Sequence, residues 1–217
     1  MTISNDSITV TPGTGATVAT HLIGGKEHQM TCDVDEYGHI TGTAPAYILF
    51  VPSQAAGASK VYFDLFNATG SGVTLRVKSV EVVKNGSVAV TGTLSVQLFL
   101  TRTTAVGTGG TAATAEGTTF TAPSINKMNP ANASLPAGVT ARSAPTGGAT
   151  AGAVIGETHM YTEETAAASY QYIDFLIAEA ADIQPLFVPE NTGIRVVQGT
   201  VASVGNIGFN VIFEAVS

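Results

Sequence analysis

The chain has 217 residues, a formal net charge of −7 and one cysteine, Cys32. The acidic balance and the lack of any Lys/Arg run exclude the basic footprint that nucleic-acid binding or attachment to an anionic membrane requires. Charged residues make up only 12% of the chain, about half the usual fraction. We favour the interpretation that partner subunits cover much of the surface. The alternative is that the protein covers its own strand edges.

Residues 1–44 are predicted to form a small β segment or N-terminal arm. Short strands are expected around residues 8–10 and over 27–34, separated by a Gly-rich stretch at 12–15. The segment has neither the basic nor the apolar region of a secretory signal, and no apolar stretch approaches the length of a membrane span. We therefore expect a protein that is made in a cytoplasm and stays soluble or assembles there.

The same segment contains the best candidates for metal ligands. They are of residue types that bind zinc: His21, His28, Cys32 and His39, with Asp33 and Asp35 nearby. No Cys-x-x-Cys or His-x-x-x-His pair occurs, and on a strand His28 and Cys32 would lie about 13 Å apart. We interpret them as scattered histidines and a small buried thiol, and predict no metal site.

Two further motifs differ from the ligand loops they resemble. Residues 33–38 could begin a calcium loop, but Tyr37 and Ala44 stand where an EF-hand needs oxygen ligands. We interpret this stretch as an acidic hairpin turn. Residues 24–26 are not a phosphate loop, because Glu27 occupies the place of the hydroxyl residue that binds the metal.

Alternating strand patterns dominate residues 45–217, which we expect to form one β-sandwich domain. The apolar alternation that begins at residue 73 changes phase near Lys78 and Ser79, and this predicts a β-bulge. Asn85 and Gly86 form a strong signal for a tight turn. We therefore predict that residues 73–101 form a β-hairpin.

Residues 102–158 are rich in Thr, Ala and Gly and contain four prolines. This composition predicts a long inserted loop. Because such a loop rarely orders by itself, we expect a neighbouring subunit to hold it. The alternative is a loop that is pinned along its own domain.

The C-terminal part returns to short apolar runs. Residues 185–189 are bounded by prolines and should form a short edge strand, residues 190–193 form a turn, and residues 207–213 alternate cleanly. Many short alternating runs with turns between them are typical of an all-β fold, here an antiparallel β-sandwich or jelly roll.

No motif assembles a catalytic site. The Gly-x-Ser-x-Gly elbow is absent, and Glu163 and Glu164 are adjacent, whereas the two carboxylates of a glycosidase must converge on one bond. The lack of tryptophan argues against a sugar-stacking platform, so Tyr161, Tyr170 and Tyr172 are interpreted as strand-packing residues. We predict no catalytic, cofactor-binding or metal-binding residue, and no enzymatic activity.

Two segments carry a resemblance to a known class. Residues 10–29, with 35–40, resemble N-terminal segments of tailed-bacteriophage virion proteins, and residues 185–198 (PLFVPENTGIRVVQ), with 207–214, resemble late strands of jelly-roll particle proteins. The resemblance implies a structural subunit of the virion, most simply a head decoration or cement protein that stabilises the capsid shell beside the major capsid protein. No site residue carries over from it.

The low charge, the long polar segment and the possible N-terminal arm favour the same role. A closed homotrimer would bury strand edges, with residues 1–44 docked on a neighbour. The first alternative is a tail, fibre or adaptor subunit that binds a receptor. The second is a ligand-binding or metal-binding jelly roll of the cupin type, which would need convergent metal or acid–base residues on neighbouring strands.

Overall fold

The computed structural model describes residues 20–23, 26–29, 44–84, 94–148, 151–162, 173–176 and 185–216. The chain divides into two compact units, Met1–Gly42 and Thr43–Ser217. In the first unit, β1 (Thr20–Ile23) pairs in antiparallel fashion with β2 (Lys26–Gln29). The strand predicted at residues 8–10, and most of the one predicted over 27–34, lie outside the described residues.

The described part of the second unit is all-β, with thirteen strands. They are β3 (Ala46–Ala55), β4 (Val61–Asn67), β5 (Thr74–Lys84), β6 (Leu94–Thr103), β7 (Thr111–Ala112), β8 (Thr114–Ala115), β9 (Ser124–Lys127), β10 (Val139–Ser143), β11 (Ala151–Thr162), β12 (Ile173–Asp174), β13 (Leu186–Val188), β14 (Thr192–Gln198) and β15 (Asn206–Val216). The predicted all-β class is confirmed for these residues.

The strands form two sheets that are antiparallel except for the β8–β9 pair. The six-stranded sheet has the order β11-β6-β14-β4-β10-β7. The seven-stranded sheet has the order β12-β5-β15-β3-β9-β8, and β13 also pairs with β5. The short β13 confirms the strand predicted between the two prolines of residues 185–189.

The core forms where one face of each sheet meets the other. In β15, Ile207, Phe209, Val211 and Phe213 are fully buried, as the alternation predicts. The ring of Phe63 in the six-stranded sheet lies 5.4 Å from that of Phe209, centroid to centroid. Burying one side chain of this size contributes about 1.5–3 kcal/mol, so this shared face is the main source of stability.

The predicted β-bulge is present. Ile212 pairs with Ser79 and Phe213 pairs with Val77, so Lys78 is the extra residue. Val77 and Val80 are both fully buried although they are three positions apart. The bulge therefore returns the apolar residues of β5 to the core face.

The predicted β-hairpin over residues 73–101 is wrong. β5 lies in the seven-stranded sheet and β6 in the six-stranded sheet, so the two strands do not pair. Asn85 and Gly86 lie outside the described residues. An Asn-Gly dipeptide indicates a local reversal but does not choose the partner, and both sides of β5 are already taken, by β15 and by β12 with β13.

Residues 102–158, predicted as one long inserted loop, contain short strands that pair within the chain itself, as in the alternative of a segment pinned along its own domain. That a neighbouring subunit also holds this segment stays a prediction. β9 extends the seven-stranded sheet beside β3, and β10 extends the six-stranded sheet beside β4. β7 pairs with β10 and β8 with β9, and only Ala113 separates these two short strands. Residues 111–115 therefore join the same edge of both sheets.

A substitution at Gly193 tests how closely β14 packs between β4 and β6. A Cβ at this position would lie 2.6 Å from the Leu65 carbonyl oxygen and 2.8 Å from Thr103 Cγ2. We expect Gly193→Ala to lower the free energy of unfolding by about 1–3 kcal/mol through overcrowding. Urea unfolding measures this change.

Gly57→Ala is the matched control, because a Cβ there would meet Lys60 Cβ at an ordinary 3.7 Å. Its effect should stay within about 0.5 kcal/mol. Equal losses in the two variants would contradict the described packing of β14.

Candidate interaction surface

The structure brings few of the residues singled out from the sequence together. His21 and His28 are opposite each other in the β1–β2 register, and Tyr161 on β11 is half-exposed. The others lie outside the described residues: Cys32, Asp33, Asp35, His39, Glu163, Glu164, Tyr170 and Tyr172. Within the described ranges, no group of three or more His, Cys, Asp or Glu side chains could hold a metal ion.

Among the described residues, no helix combines the length and the apolar character that a membrane span requires.

The surface of the second unit exposes apolar side chains more often than charges. Among its described Asp, Glu, Lys and Arg residues, only Lys78, Glu116 and Glu157 are exposed. Eight large apolar side chains are exposed in the described part of the chain: Val83, Val106, Phe120, Met128, Val154, Tyr161, Val201 and Val204. Exposed apolar residues that lie together commonly mark an interaction site.

Several charged side chains instead form ion pairs or hydrogen bonds within the domain. Arg76 is 3% exposed, and its Nε donates to Glu214 Oε2 at 2.6 Å. Glu190 accepts hydrogen bonds from the backbone N–H groups of Gly70 and Gly72, at 3.1 and 2.6 Å. These bonds hold the pKa of the Glu190 carboxyl below its ordinary value. Both carboxylates thus join segments that are distant in sequence.

An apolar groove of about 440 Å³ lies on the outer face of the seven-stranded sheet. Val83 on β5, Phe50 and Pro52 on β3, and Phe120 supply its apolar walls, while Gly208 and Asn210 on β15 lie between them. None of the described lining residues is ionisable. The groove can therefore receive an apolar side chain, but its described lining offers no acid–base chemistry.

At the floor of the groove, the backbones of β15 and β3 lie unusually close together. The register of β15 against β3 slips between Ile207 and Phe209. A Cβ on Gly208 would lie only 2.9 Å from the Val51 carbonyl oxygen. Pro52 lies at this irregularity, where a strand tolerates a residue without an N–H donor. Glycine is thus needed here, and its missing side chain leaves the groove open.

Phe120 forms the most exposed part of the groove, with 87% of its surface accessible. The turn that carries it is closed at its base, because the Glu116 N–H donates to the Ile125 carbonyl at 3.0 Å and the Lys127 N–H donates to Glu116 Oε1 at 3.1 Å. The ring is thus presented to solvent by an anchored turn. Covering such a ring contributes about 1.5–3 kcal/mol.

The groove was not recognised in the sequence. The available signals were a proline inside an alternating strand (Pro52), a glycine in the regular β15 pattern (Gly208), and one aromatic residue in a Thr/Ala/Gly-rich segment (Phe120). These residues are far apart in the chain, and only the pairing of β3, β5 and β15 brings them together.

Comparisons of the chain with protein-family models, with curated proteins and with solved structures found no match.

The Arg76–Glu214 ion pair provides a test of how much these internal charges stabilise the fold. Arg76→Ala leaves a carboxylate that is only 15% exposed, with Lys78 Nζ at 3.5 Å as its remaining partner. We expect the variant to lose about 3 kcal/mol of unfolding free energy, because removing one partner of a buried pair leaves the other charge desolvated.

Lys78→Ala is the control, since the Lys78 side chain is 43% exposed and exposed pairs contribute at most about 1 kcal/mol. Denaturant unfolding of both variants gives the comparison. If Lys78→Ala lowers the free energy of unfolding as much as Arg76→Ala does, the buried ion pair is not the source of the stabilisation.

Proposed function

We propose that the chain is a non-enzymatic structural subunit that associates with other copies of itself and with other proteins of a particle. The observation that carries this proposal is the surface of the second unit, where the described residues expose eight large apolar side chains and only three Asp, Glu, Lys or Arg side chains. Two of the eight, Val83 and Phe120, line one groove, and exposed apolar side chains that lie together mark sites of contact with other molecules.

The setting follows from the resemblance of residues 10–29 and 185–198 to virion proteins. In this proposal the chain is a capsid decoration or cement subunit of a tailed phage, assembled in the host cytoplasm as a homotrimer beside the major capsid protein. Its domain is an antiparallel β-sandwich of the jelly-roll type, which is supported by the alternation of β3, β4, β5 and β6 between the two sheets. Residues 1–44 act as an arm that docks on a neighbour.

The contact mode follows from the chemistry of the groove. An apolar side chain of a neighbouring subunit enters between Val83 and Phe50 and covers Phe120. Each such contact is weak, but a shell repeats it many times, so the contacts add through multivalency. Since the described lining residues carry no charge, the association should persist at high salt, which screens only charged contacts.

Light scattering combined with native mass spectrometry tests the association. We expect a trimer that persists in molar sodium chloride. We expect Phe120→Asp to shift the protein towards monomer, because the neighbouring subunit would then cover a carboxylate instead of a ring, at a large desolvation cost. The fold should tolerate the change, because Phe120 is 87% exposed.

Val201→Asp is the control, since Val201 is also exposed (69%) but does not line the groove. It should keep the wild-type mass. A wild-type protein that stays monomeric at all concentrations, or a Phe120→Asp variant with wild-type mass, would contradict this contact mode. Rings or fibres instead of trimers would favour the tail or fibre alternative.

A further inference from the structure

A cluster of polar side chains lies on the outer face of the six-stranded sheet, where β6 and β11 pair. Val96 and Met160 are opposite each other in the register, and both are buried in the core, at 0% and 1% exposure. Side chains alternate between the two faces of a strand, so the residues of odd number in this region point outward. We call four of them the β6–β11 cluster: Ser95, Gln97, Glu157 and His159.

The strand register brings the four residues together. Glu157 and His159 are two positions apart on β11, so both side chains lie on the same face. Gln97 on β6 is directly opposite His159. Ser95 is two residues from Gln97 on the same strand, and therefore also on this face. His159 is not among the histidines singled out from the sequence, because its neighbours in the cluster become visible only through the pairing of β6 with β11.

Hydrogen bonds orient the two ionisable side chains of the cluster towards each other. His159 Nε2 lies 2.9 Å from Glu157 Oε1. Gln97 Nε2 donates to the same oxygen at 2.5 Å, and Ser95 Oγ lies 3.5 Å from the other ring nitrogen, His159 Nδ1. The partner of one imidazole nitrogen decides how the other is presented. Ser95 and Gln97 thus hold Nε2 and the carboxylate as a facing pair.

This pair is accessible and carries negative charge at neutral pH. The side chains of His159 and Glu157 are 53% and 45% exposed. The hydrogen bond from Gln97 and, next, the one with His159 hold the pKa of the Glu157 carboxyl below its ordinary value. The net charge of the chain is −7, so its overall field attracts cations. A positive ion from solvent can therefore reach the pair.

The distance between the two atoms fits one kind of metal coordination. An imidazole nitrogen and a carboxylate oxygen bind a divalent metal ion at about 2.0–2.2 Å. Two such ligands at a right angle around the ion are about 3 Å apart, and at a tetrahedral angle about 3.4 Å. The separation of 2.9 Å between His159 Nε2 and Glu157 Oε1 corresponds to the right angle. Tetragonal coordination by nitrogen and oxygen is typical of Cu²⁺ and Ni²⁺.

We propose that His159 and Glu157 chelate one divalent ion that prefers tetragonal coordination by nitrogen and oxygen, Cu²⁺ or Ni²⁺. The ion takes the place of the proton between Nε2 and Oε1. In the bound form the neutral imidazole carries its proton on Nδ1 and donates it to Ser95 Oγ, while Gln97 stays on the carboxylate as an outer partner. Water completes the coordination. This site goes beyond the assembly role and does not depend on it.

Amide NMR of the ¹⁵N-labelled full chain, titrated with Cu²⁺, tests the site, because this paramagnetic ion broadens the signals of nearby nuclei. We expect saturable broadening of the amides of residues 95–99 and 156–160. Zn²⁺ should compete for the same site more weakly than Cu²⁺, as the usual affinity order of these ions predicts. Mg²⁺ should not compete, because it prefers sites made of oxygen ligands.

Two variants locate the ligands. His159→Gln should abolish the broadening of β6 and β11. Glu157→Gln should weaken Cu²⁺ binding by about tenfold or more, since the loss of an outer partner alone often has an effect of this size. His28→Gln, which changes a histidine on β2 of the first unit, is the control and should leave the broadening of β6 and β11 unchanged. Thermal unfolding shows that each variant folds, as the exposure of both side chains leads us to expect.

The proposal is overturned if Cu²⁺ in about tenfold molar excess broadens no amide of β6 or β11. It is also overturned if His159→Gln keeps the wild-type affinity at these amides, or if Mg²⁺ competes as well as Zn²⁺ does. Phe120→Asp should bind Cu²⁺ as the wild type does, since Phe120 lines the groove and not the cluster. A failure of the metal site is therefore distinguishable from a failure of the proposed assembly contact.

Discussion

The constraint on which the rest of this structure depends is that every strand edge of a charge-poor β protein must be paired or covered. Unpaired N–H and C=O groups at an edge attract other strands, and charged residues, the usual protection, make up only 12% of this chain. Here residues 102–158, the insert, cover the open edges of the sheets. Its strands β9 and β10 extend the two sheets, and residues 111–115 then join the outermost edges of both, so the second unit covers this side with its own polypeptide.

The same insert builds one wall of the candidate groove. The turn that carries Phe120 is anchored at the base of β9 and forms one wall of the apolar groove. A single segment of low complexity thus closes the fold and shapes the surface through which we propose that the protein works.

Sequence reasoning succeeded where a pattern depends on one strand alone. The alternation of residues 207–213 predicted the core face of β15, and the phase change at Lys78 predicted the bulge. It failed where the outcome depends on a distant partner. Asn85 and Gly86 suggested a hairpin, but β5 and β6 pair with strands from the C-terminal part of the chain. The insert has few apolar residues, so its pairing arises from edges that the remaining strands leave open. The groove was missed because only the register of β3, β5 and β15 brings its residues together.

The most direct test of this account is amide hydrogen exchange of the full chain, measured at a dilution where it is monomeric and again at high concentration. If the insert is part of its own domain, the amides of β9 and β10 that donate to the sheets are protected at both concentrations, to a degree comparable with those of β15. If a neighbouring subunit holds the insert, these amides exchange freely in the monomer and become protected only on association, which would contradict the central claim.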